Sequence, residues 1–397
     1  MTRKKNILFY IPTLSQDFGG IRQYSAGLLK LFSEITGIFN FFILHDGNDE
    51  VIMNLIIINP DLKQIKFSDY PLTKKERLRD KINYVYNRTK NLITKVPYNK
   101  ESTLDRIIRI NSIDILHCPY QYLPKVKNVK LLTTMHDVQE LYFPDFFSAE
   151  ERAYRAVNYL NFIKKADKVL VSYDHVKKDI EKFFKKNPSD IITLLLKMDN
   201  LWYKKYEGHK IKNLNIKFDE FLLYPANFWK HKNHENLVKA IHYLKQKKNL
   251  SVNFIFTGDY TIDSENKISK LINDFDLSSQ IQTLGIVDEE TLYSLYKSTL
   301  GVVIPTIYEA GSFPLMESIL IGVPVICSNV TSLPETIGDE DFTFNPKSIE
   351  DIANKIEQLW KDLDFRKKSL HNSSLQSQRL IETGAKEILI DLYSNLN

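Results

Sequence analysis

"GVVIPTIYEAGSFPLMESILIG" occupies positions 301–322, and its reading decides the fold. It opens with a strand-like apolar run, passes through a turn of small residues, and continues into an apolar, helix-like run, "LMESILIG". Two carboxylates, Glu309 and Glu317, bracket the turn. Gly311 and Ser312 lack bulk and permit close backbone approach, and Pro314 suits the first turn of a helix. The free N–H groups at such a helix start point at one spot and favour an anion, typically phosphate. Glu309, at the strand end, would point into the cleft beyond the sheet, and Glu317 lies about one helical turn past Pro314. Two acceptors flanking a phosphate cradle suit a nucleotide-sugar, one for hydroxyls of a transferred sugar and one for a ribose diol. Taken alone, the stretch fits an ordinary strand–helix turn with two surface glutamates equally well.

Outward from this stretch, short apolar runs alternate with amphipathic ones. "NILFYI", "FNFFIL", "DILHC", "KLLTTM", "KVLVS" and "IITLLL" read as buried strands, and "GIRQYSAGLLKLFSEI" and "AEERAYRAVNYLNFIKKA" as helices. Repeated strand–helix units imply a parallel sheet covered on both faces. The pattern stalls over 197–218, "KMDNLWYKKYEGHKIKNLNIKF", which is polar, dotted with aromatics and without period. It restarts with "FLLYPA", "VNFIFTG", "IQTLG", "GVVIPT" and "VPVICS". A chain of 397 residues is too long for one ordinary core. The final stretch, "DFRKKSLHNSSLQSQRLIETGAKEILIDLYSNLN", reads as one helix with a polar middle, so the expectation is two doubly wound domains, 1–200 and 201–375, with a C-terminal helix, 376–397, packing back towards the first. Ligands of open α/β sheets sit beyond the carboxyl ends of the strands, so two such domains face each other across a cleft.

Composition removes several classes. Apolar residues make up 43% of the chain, ample for buried cores. Cys118 and Cys327 sit in strand-like contexts and form neither a disulfide framework nor a metal-ligand pattern; they read as buried thiols in a reducing compartment. The basic-then-apolar N-terminus mimics a signal peptide, but its apolar run is short and lacks a small-residue cleavage site, so it reads as a first strand. No apolar run approaches the roughly 20 residues that span a bilayer, which points to a cytoplasmic protein. The net charge of +5 is uneven, about +9 over 1–200 and about −4 beyond. This excess, dense in "KKERLRDK" and "NRTKNLITK", reads either as solvated helix faces or as attraction to anionic lipid or a phosphate-bearing substrate. No nucleic-acid-binding motif accompanies it. No G-x-G-x-x-G follows the first strand, which disfavours a dinucleotide dehydrogenase.

"EAGSFPLMESILIGVPVICSNVTSLPETIGD" resembles the retaining glycosyltransferases of the GT-B fold, family 4, whose hallmark is two glutamates separated by seven residues, as Glu309 and Glu317 are. The trailing "GVPVICSNVTSLPETIGD" is similar to a bacterial subgroup that builds surface polysaccharide. "YPANFWKHKNHENLVKAI", "LGIVDEETLYSLYKSTLGVVIPT", "TTMHDVQELYFPDFFSAEERAYRAVNYL" and "DFGGIRQYSAGLLKL" also look like family segments. The resemblance covers nearly the whole chain, is strongest over 221–346, and is weak over 50–110.

What it implies is specific. The first domain takes the acceptor and the second the nucleotide-sugar. Glu309 bonds hydroxyls of the donor sugar, and Glu317 bonds the ribose diol. Backbone N–H groups from Gly311 through Ser312, Phe313 and Pro314 to Leu315 hold the diphosphate. Lys232 sits on the diphosphate and stabilises charge on the leaving group. Gly19 and Gly20 let the first loop approach the phosphates. Gly258 joins the donor-binding set, the backbone around Ile286 reads the base, and His136 lines the sugar pocket. The family usually has an arginine five residues before the lysine. This chain has Asn227 there, an uncharged donor, for which Lys230 or His231 could compensate. Asp339 and Asp341 form an Asp-x-Asp pair like the metal site of another glycosyltransferase fold, but the matching position in this family is a plain loop, so no metal cofactor is expected.

The resulting expectation is a metal-independent, retaining hexosyltransferase, with mannose or rhamnose favoured. It would use a nucleoside diphosphate sugar and a glycan or lipid-linked acceptor, peripheral on the inner face of an anionic membrane and without nucleic acid. Two rivals are a GT-B nucleotide-sugar epimerase or hydrolase, which would need a further base near Glu309, and a catalytically idle scaffold that binds glycan or partner proteins.

Overall fold

The computed structural model describes residues 3–12, 19–46, 49–71, 102–198, 202–260 and 262–397. Strands β1 (Asn6–Ile11), β2 (Asn40–His45), β3 (Leu62–Ile65), β4 (Ile115–Cys118), β5 (Lys130–Thr134), β6 (Lys168–Val171) and β7 (Ile191–Thr193) form one parallel sheet in the order 3-2-1-4-5-6-7. Strands β8 (Leu222–Pro225), β9 (Phe254–Thr257), β10 (Ile281–Thr283), β11 (Gly301–Ile304), β12 (Val325–Ser328) and β13 (Thr343–Phe344) form a second, in the order 10-9-8-11-12-13. The central strands are buried throughout, as in β4, β8 and β11, because helices cover both faces. Cys118 and Cys327 lie fully inside β4 and β12.

Two strands were not anticipated. β3, "LKQI", buries only its first and last residues, and β13 is two residues long, so neither carries an apolar run or an alternation. "IITLLL" is strand only over its first half, ending at Thr193. The C-terminal stretch, read as one helix with a polar middle, is two helices, Leu363–Ile381 and Ala385–Asn395. Gly384, at φ +66°, stands between them in the left-handed region that glycine adopts without strain.

The first of these helices stays with the second sheet, where Val325 N–H donates to Ser369 Oγ (2.9 Å) and Asn372 Nδ2 donates to the Ile337 carbonyl (2.8 Å). The second joins the first core. Leu389, Leu392 and Tyr393 pack with Phe32, Phe39 and Phe41, and Tyr393 Oη lies 2.7 Å from His117 Nδ1. The chain thus crosses between domains near 195–198 and again near 382–384, and Met198 N–H donates to the Leu380 carbonyl at 3.0 Å beside the crossings.

Strand order reverses between β1 and β4 in one sheet and between β8 and β11 in the other. Such switch points open a crevice at the carboxyl ends of the strands. Side chains also link the two rims. Glu335 accepts N–H bonds from Asp174 and His175, both 2.8 Å, at the start of the helix Asp174–Phe184, and Val138 N–H donates to Tyr308 Oη at 3.1 Å. Burial pushes the Glu335 carboxyl up, but the bonds from His175 and Asp174 outweigh it and hold the group below the usual range.

Candidate active site

The second switch point is built by two loops stitched together. After β8 the chain forms a short turn, Lys230–Lys232, then the helix His234–Lys248. Asn233, in the left-handed region at φ +63°, donates its amide to the carbonyls of Pro305 (2.8 Å) and Pro346 (3.0 Å). The His231 carbonyl accepts from Thr306 Oγ1 and from Ile307 N–H, both at 2.8 Å, and Tyr224 Oη donates to the Lys232 carbonyl at 2.7 Å. These bonds hold the lysine against the loop that leaves β11.

That loop presents Glu309. Its N–H donates to Thr331 Oγ1 and its carbonyl accepts from Ser332 Oγ, both at 3.1 Å. Lys232 Nζ donates to Oε1 at 2.6 Å and Oε2 at 3.0 Å, with the two side chains only 13% and 6% exposed. The lysine expected at the diphosphate and the glutamate expected at the sugar therefore form one buried ion pair. Such a pair holds its geometry because either charge alone would be costly to bury.

Beside it starts the helix Phe313–Ile321. Ser312 stands at its N-cap with a buried hydroxyl that has no hydrogen-bond partner among the described residues. Pro314 has no N–H, so the Gly311–Leu315 set offers its donors from the other four positions. A Cβ on Gly311 would lie 3.1 Å from the Tyr173 ring, and one on Gly20 would lie 3.7 Å from Phe313. The glycine pair Gly19 and Gly20 opens the helix Gly19–Ser33 of the first domain, so two helix starts meet across the cleft.

Glu317, on the inner face of this helix, is 8% exposed. Trp202 Nε1–H donates to its Oε1 at 2.7 Å, and Tyr296 Oη–H donates to its Oε2 at 2.8 Å. Burial raises its pKa, and these two bonds act against that rise. Next to it lies a cavity of about 450 Å³, walled by Pro225, Asn227, Trp229, Gly258, Ile286 and Glu317 among others. Gly258 has φ +121°, and a Cβ there would sit 2.5 Å from the Ala226 carbonyl oxygen, so only glycine fits. Ile286, 75% exposed, and Trp229, 56% exposed, present apolar surface there. Asn227 Oδ1 accepts the Asp259 N–H at 2.8 Å, tying the ends of β8 and β9 and leaving its amide nitrogen as the donor. His231 does not replace the missing arginine's charge: burial and neighbouring Lys232 lower its pKa to about 4, so it is neutral at pH 7. Lys230 is exposed.

A larger cavity of about 980 Å³ lies between the domains, with Gly20, His136, Tyr173, Gly311, Trp202 and Glu317 on its wall. His136 follows β5. Its Nε2 lies 2.9 Å from the Pro119 carbonyl, which assigns the proton to Nε2 and leaves Nδ1 as an acceptor, and its ring meets Tyr24 edge-on at 5.0 Å. Burial lowers its pKa, so it is neutral.

Lys232 and Glu317 line the smaller cavity, and Gly311, Glu317, His136 and Gly20 the larger; Glu309, expected to point into the cleft, lines neither, because its buried carboxylate is turned onto Lys232. Asp339 and Asp341 line neither cavity; Asp339 caps its own turn by accepting the Asp341 N–H at 2.9 Å. The basic stretch near 74–100 lies outside the described residues. Among the described residues no helix is long and apolar enough to cross a membrane. Thr306, Thr331, Ser332, Tyr296 and Trp202 were not anticipated. They act through contacts between distant segments, and Trp202 sits in the aperiodic connection.

Residues 207–374 match the family model described as glycosyl transferases group 1. The chain is 26% identical over 255 residues to O-antigen chain mannosyltransferase B of Escherichia coli, covering 64% of this chain and 66% of that one. It is 25% identical over 357 residues to O-antigen chain mannosyltransferase RfbU of Salmonella typhimurium, covering 88% of this chain and 90% of that one. The solved structure of Anabaena HepE in complex with UDP and glucose is similar over 98% of this chain and 100% of its own, with TM-score 0.64 at 15% identity. The fold is GT-B: two Rossmann-like domains facing a cleft.

Proposed function

We propose that the chain is a glycosyltransferase that moves a hexose from a nucleoside diphosphate sugar to a glycan or lipid-linked acceptor, with retention of configuration and without a metal. The observation that carries this reading is the buried Lys232–Glu309 pair at the switch point of the second sheet, beside the start of the helix Phe313–Ile321. Lys232 and the helix N-terminus supply fixed positive charge where a departing diphosphate would need it. An arriving diphosphate gives the ammonium a second anion, which frees Glu309 for hydroxyls of the sugar. The bond from the anomeric carbon to the phosphate oxygen breaks as the acceptor oxygen bonds to the same face, and the acceptor's proton passes to the departing phosphate. His136, neutral and with Nδ1 as acceptor, lines the sugar side. Mannose is favoured by the mannosyltransferases to which the chain is similar, and these also support a role in surface polysaccharide synthesis.

A panel of nucleotide-sugars screened by thermal shift tests the reading, because a ligand that binds the native state raises apparent stability. One donor should stabilise the wild type, be turned over by it, and still stabilise Glu309→Gln. Absence of any stabilisation across the panel would favour the idle scaffold.

A further inference from the structure

Glu317 is held by a residue of the connection between domains. Trp202 follows the first crossing and begins the short turn Trp202–Tyr206. This turn packs on the helix Glu289–Ser298: Tyr206 stacks on Tyr293 at 5.9 Å, and the Trp202 ring lies 6.5 Å from Tyr296. The indole N–H reaches Oε1 of Glu317 at 2.7 Å, and the Tyr296 hydroxyl reaches Oε2 at 2.8 Å. An ionised carboxylate has about four acceptor positions, two on each oxygen. Each Glu317 oxygen has one occupied by a protein donor and one left, and the two that remain are the number a cis-diol requires. A carboxylate this buried would take up a proton without such donors, and a protonated group would lose part of its capacity as an acceptor. Glu317 lies on the wall of both cavities, the side from which a diol would approach the remaining positions.

We propose that Trp202 is a positioning residue of the donor site: its indole N–H orients the Glu317 carboxylate towards the ribose diol of a nucleoside diphosphate and links the interdomain connection to nucleotide occupancy. The inference rests on reading Glu317 as the diol acceptor. Trp202→Phe keeps an aromatic ring on the Tyr206–Tyr293–Tyr296 cluster and removes only the donor. The measurement is the Kd, by calorimetry, of GDP and UDP and of their 2′,3′-dideoxy counterparts, for wild type, Trp202→Phe, Trp202→His and Glu317→Gln.

The wild type should prefer the better-binding ribonucleotide over its dideoxy form by at least about tenfold, the worth of hydrogen bonds to a charged group. Trp202→Phe should reduce that preference to about threefold or less while leaving the dideoxy Kd unchanged. Trp202→His, which keeps a ring N–H, should retain more of the preference than Trp202→Phe. An unchanged preference in Trp202→Phe, equal weakening of both nucleotides, or the reverse order of the two variants would overturn the proposal. If Glu317→Gln abolishes the preference and Trp202→Phe does not, the diol assignment stands and the role of Trp202 falls. If Glu317→Gln leaves the preference intact, both fall.

Discussion

Removing the ammonium by Lys232→Ala perturbs the site in two separable ways. Nζ lies 2.6 and 3.0 Å from the oxygens of Glu309, in a pair almost closed to water. Taking one partner from so buried a pair costs about 3–5 kcal/mol, because the other charge is stranded. The single hydroxyl proton of Thr306 is already given to the His231 carbonyl, so most of that stability should be lost at neutral pH. Adding Glu309→Gln removes the stranded charge, and the double variant should regain most of that loss. Function should not follow stability. Lys232→Ala and the double variant should both bind nucleoside diphosphate about 10- to 100-fold more weakly, since the charge at the phosphates is gone in each. Glu309→Gln alone should hold nucleotide within about threefold of wild type while turnover falls about 10- to 150-fold, the effect of one charged hydrogen bond worth about 1.5–3 kcal/mol in the reacting complex. Urea unfolding, calorimetry with the diphosphate and turnover on the native donor measure the three quantities on the same four proteins. The reasoning is refuted if the double variant is no more stable than Lys232→Ala, or if Glu309→Gln loses nucleotide affinity as Lys232→Ala does.

Excess EDTA should leave transfer intact if, as proposed, Lys232 and a helix N-terminus supply the positive charge at the leaving group; activity restored only by Mg²⁺ or Mn²⁺ would overturn the proposed chemistry. Burial, reinforced by Lys232, lowers the pKa of His234 to about 3, so between there and its unfolded value near 6.5 only the unfolded chain binds the proton. Stability should therefore fall as pH drops through that window, and His234→Phe, which keeps the stack on Phe228, should flatten the slope by about 1.4 kcal/mol per pH unit in urea melts. Binding to anionic vesicles should weaken steeply with salt and be lost when Lys74, Lys75, Arg77 and Arg79 become Gln, since each basic residue near such a surface contributes about 1 kcal/mol; protein that stays in the supernatant at low salt removes the membrane claim.

Much of the fold was legible because parallel strands covered on both faces are unbroken apolar runs, and every such run in "NILFYI", "FLLYPA" and "GVVIPT" lies in a sheet. β3 escaped notice because an edge strand needs to bury only Leu62 and Ile65, and β13 because two residues carry no pattern. The two C-terminal helices read as one because a single glycine breaks them, and one glycine is a weak signal. Of the candidate site, Glu309, Gly311 and Glu317 were legible around a small-residue turn between a strand and a helix, and Lys232 only through the family resemblance. Their pairing was not, since no sequence rule says that Lys232 meets Glu309 across 77 positions or that Trp202 meets Glu317 across 115. The likeness to a family suggested roles for individual residues, and the fold decides which of them touch.

The most direct test of the central claim is the transfer itself, read by the anomeric configuration of its product. The donor that gives the largest thermal stabilisation is supplied with a labelled hexose and incubated with a lipid-linked glycan acceptor, and the new linkage is assigned by NMR. The account predicts release of nucleoside diphosphate in step with a new glycosidic bond of the donor's own configuration, lost in Glu309→Gln. A product of inverted configuration would contradict the same-face mechanism, and a bound donor released only as free sugar, or never cleaved, would contradict the transferase.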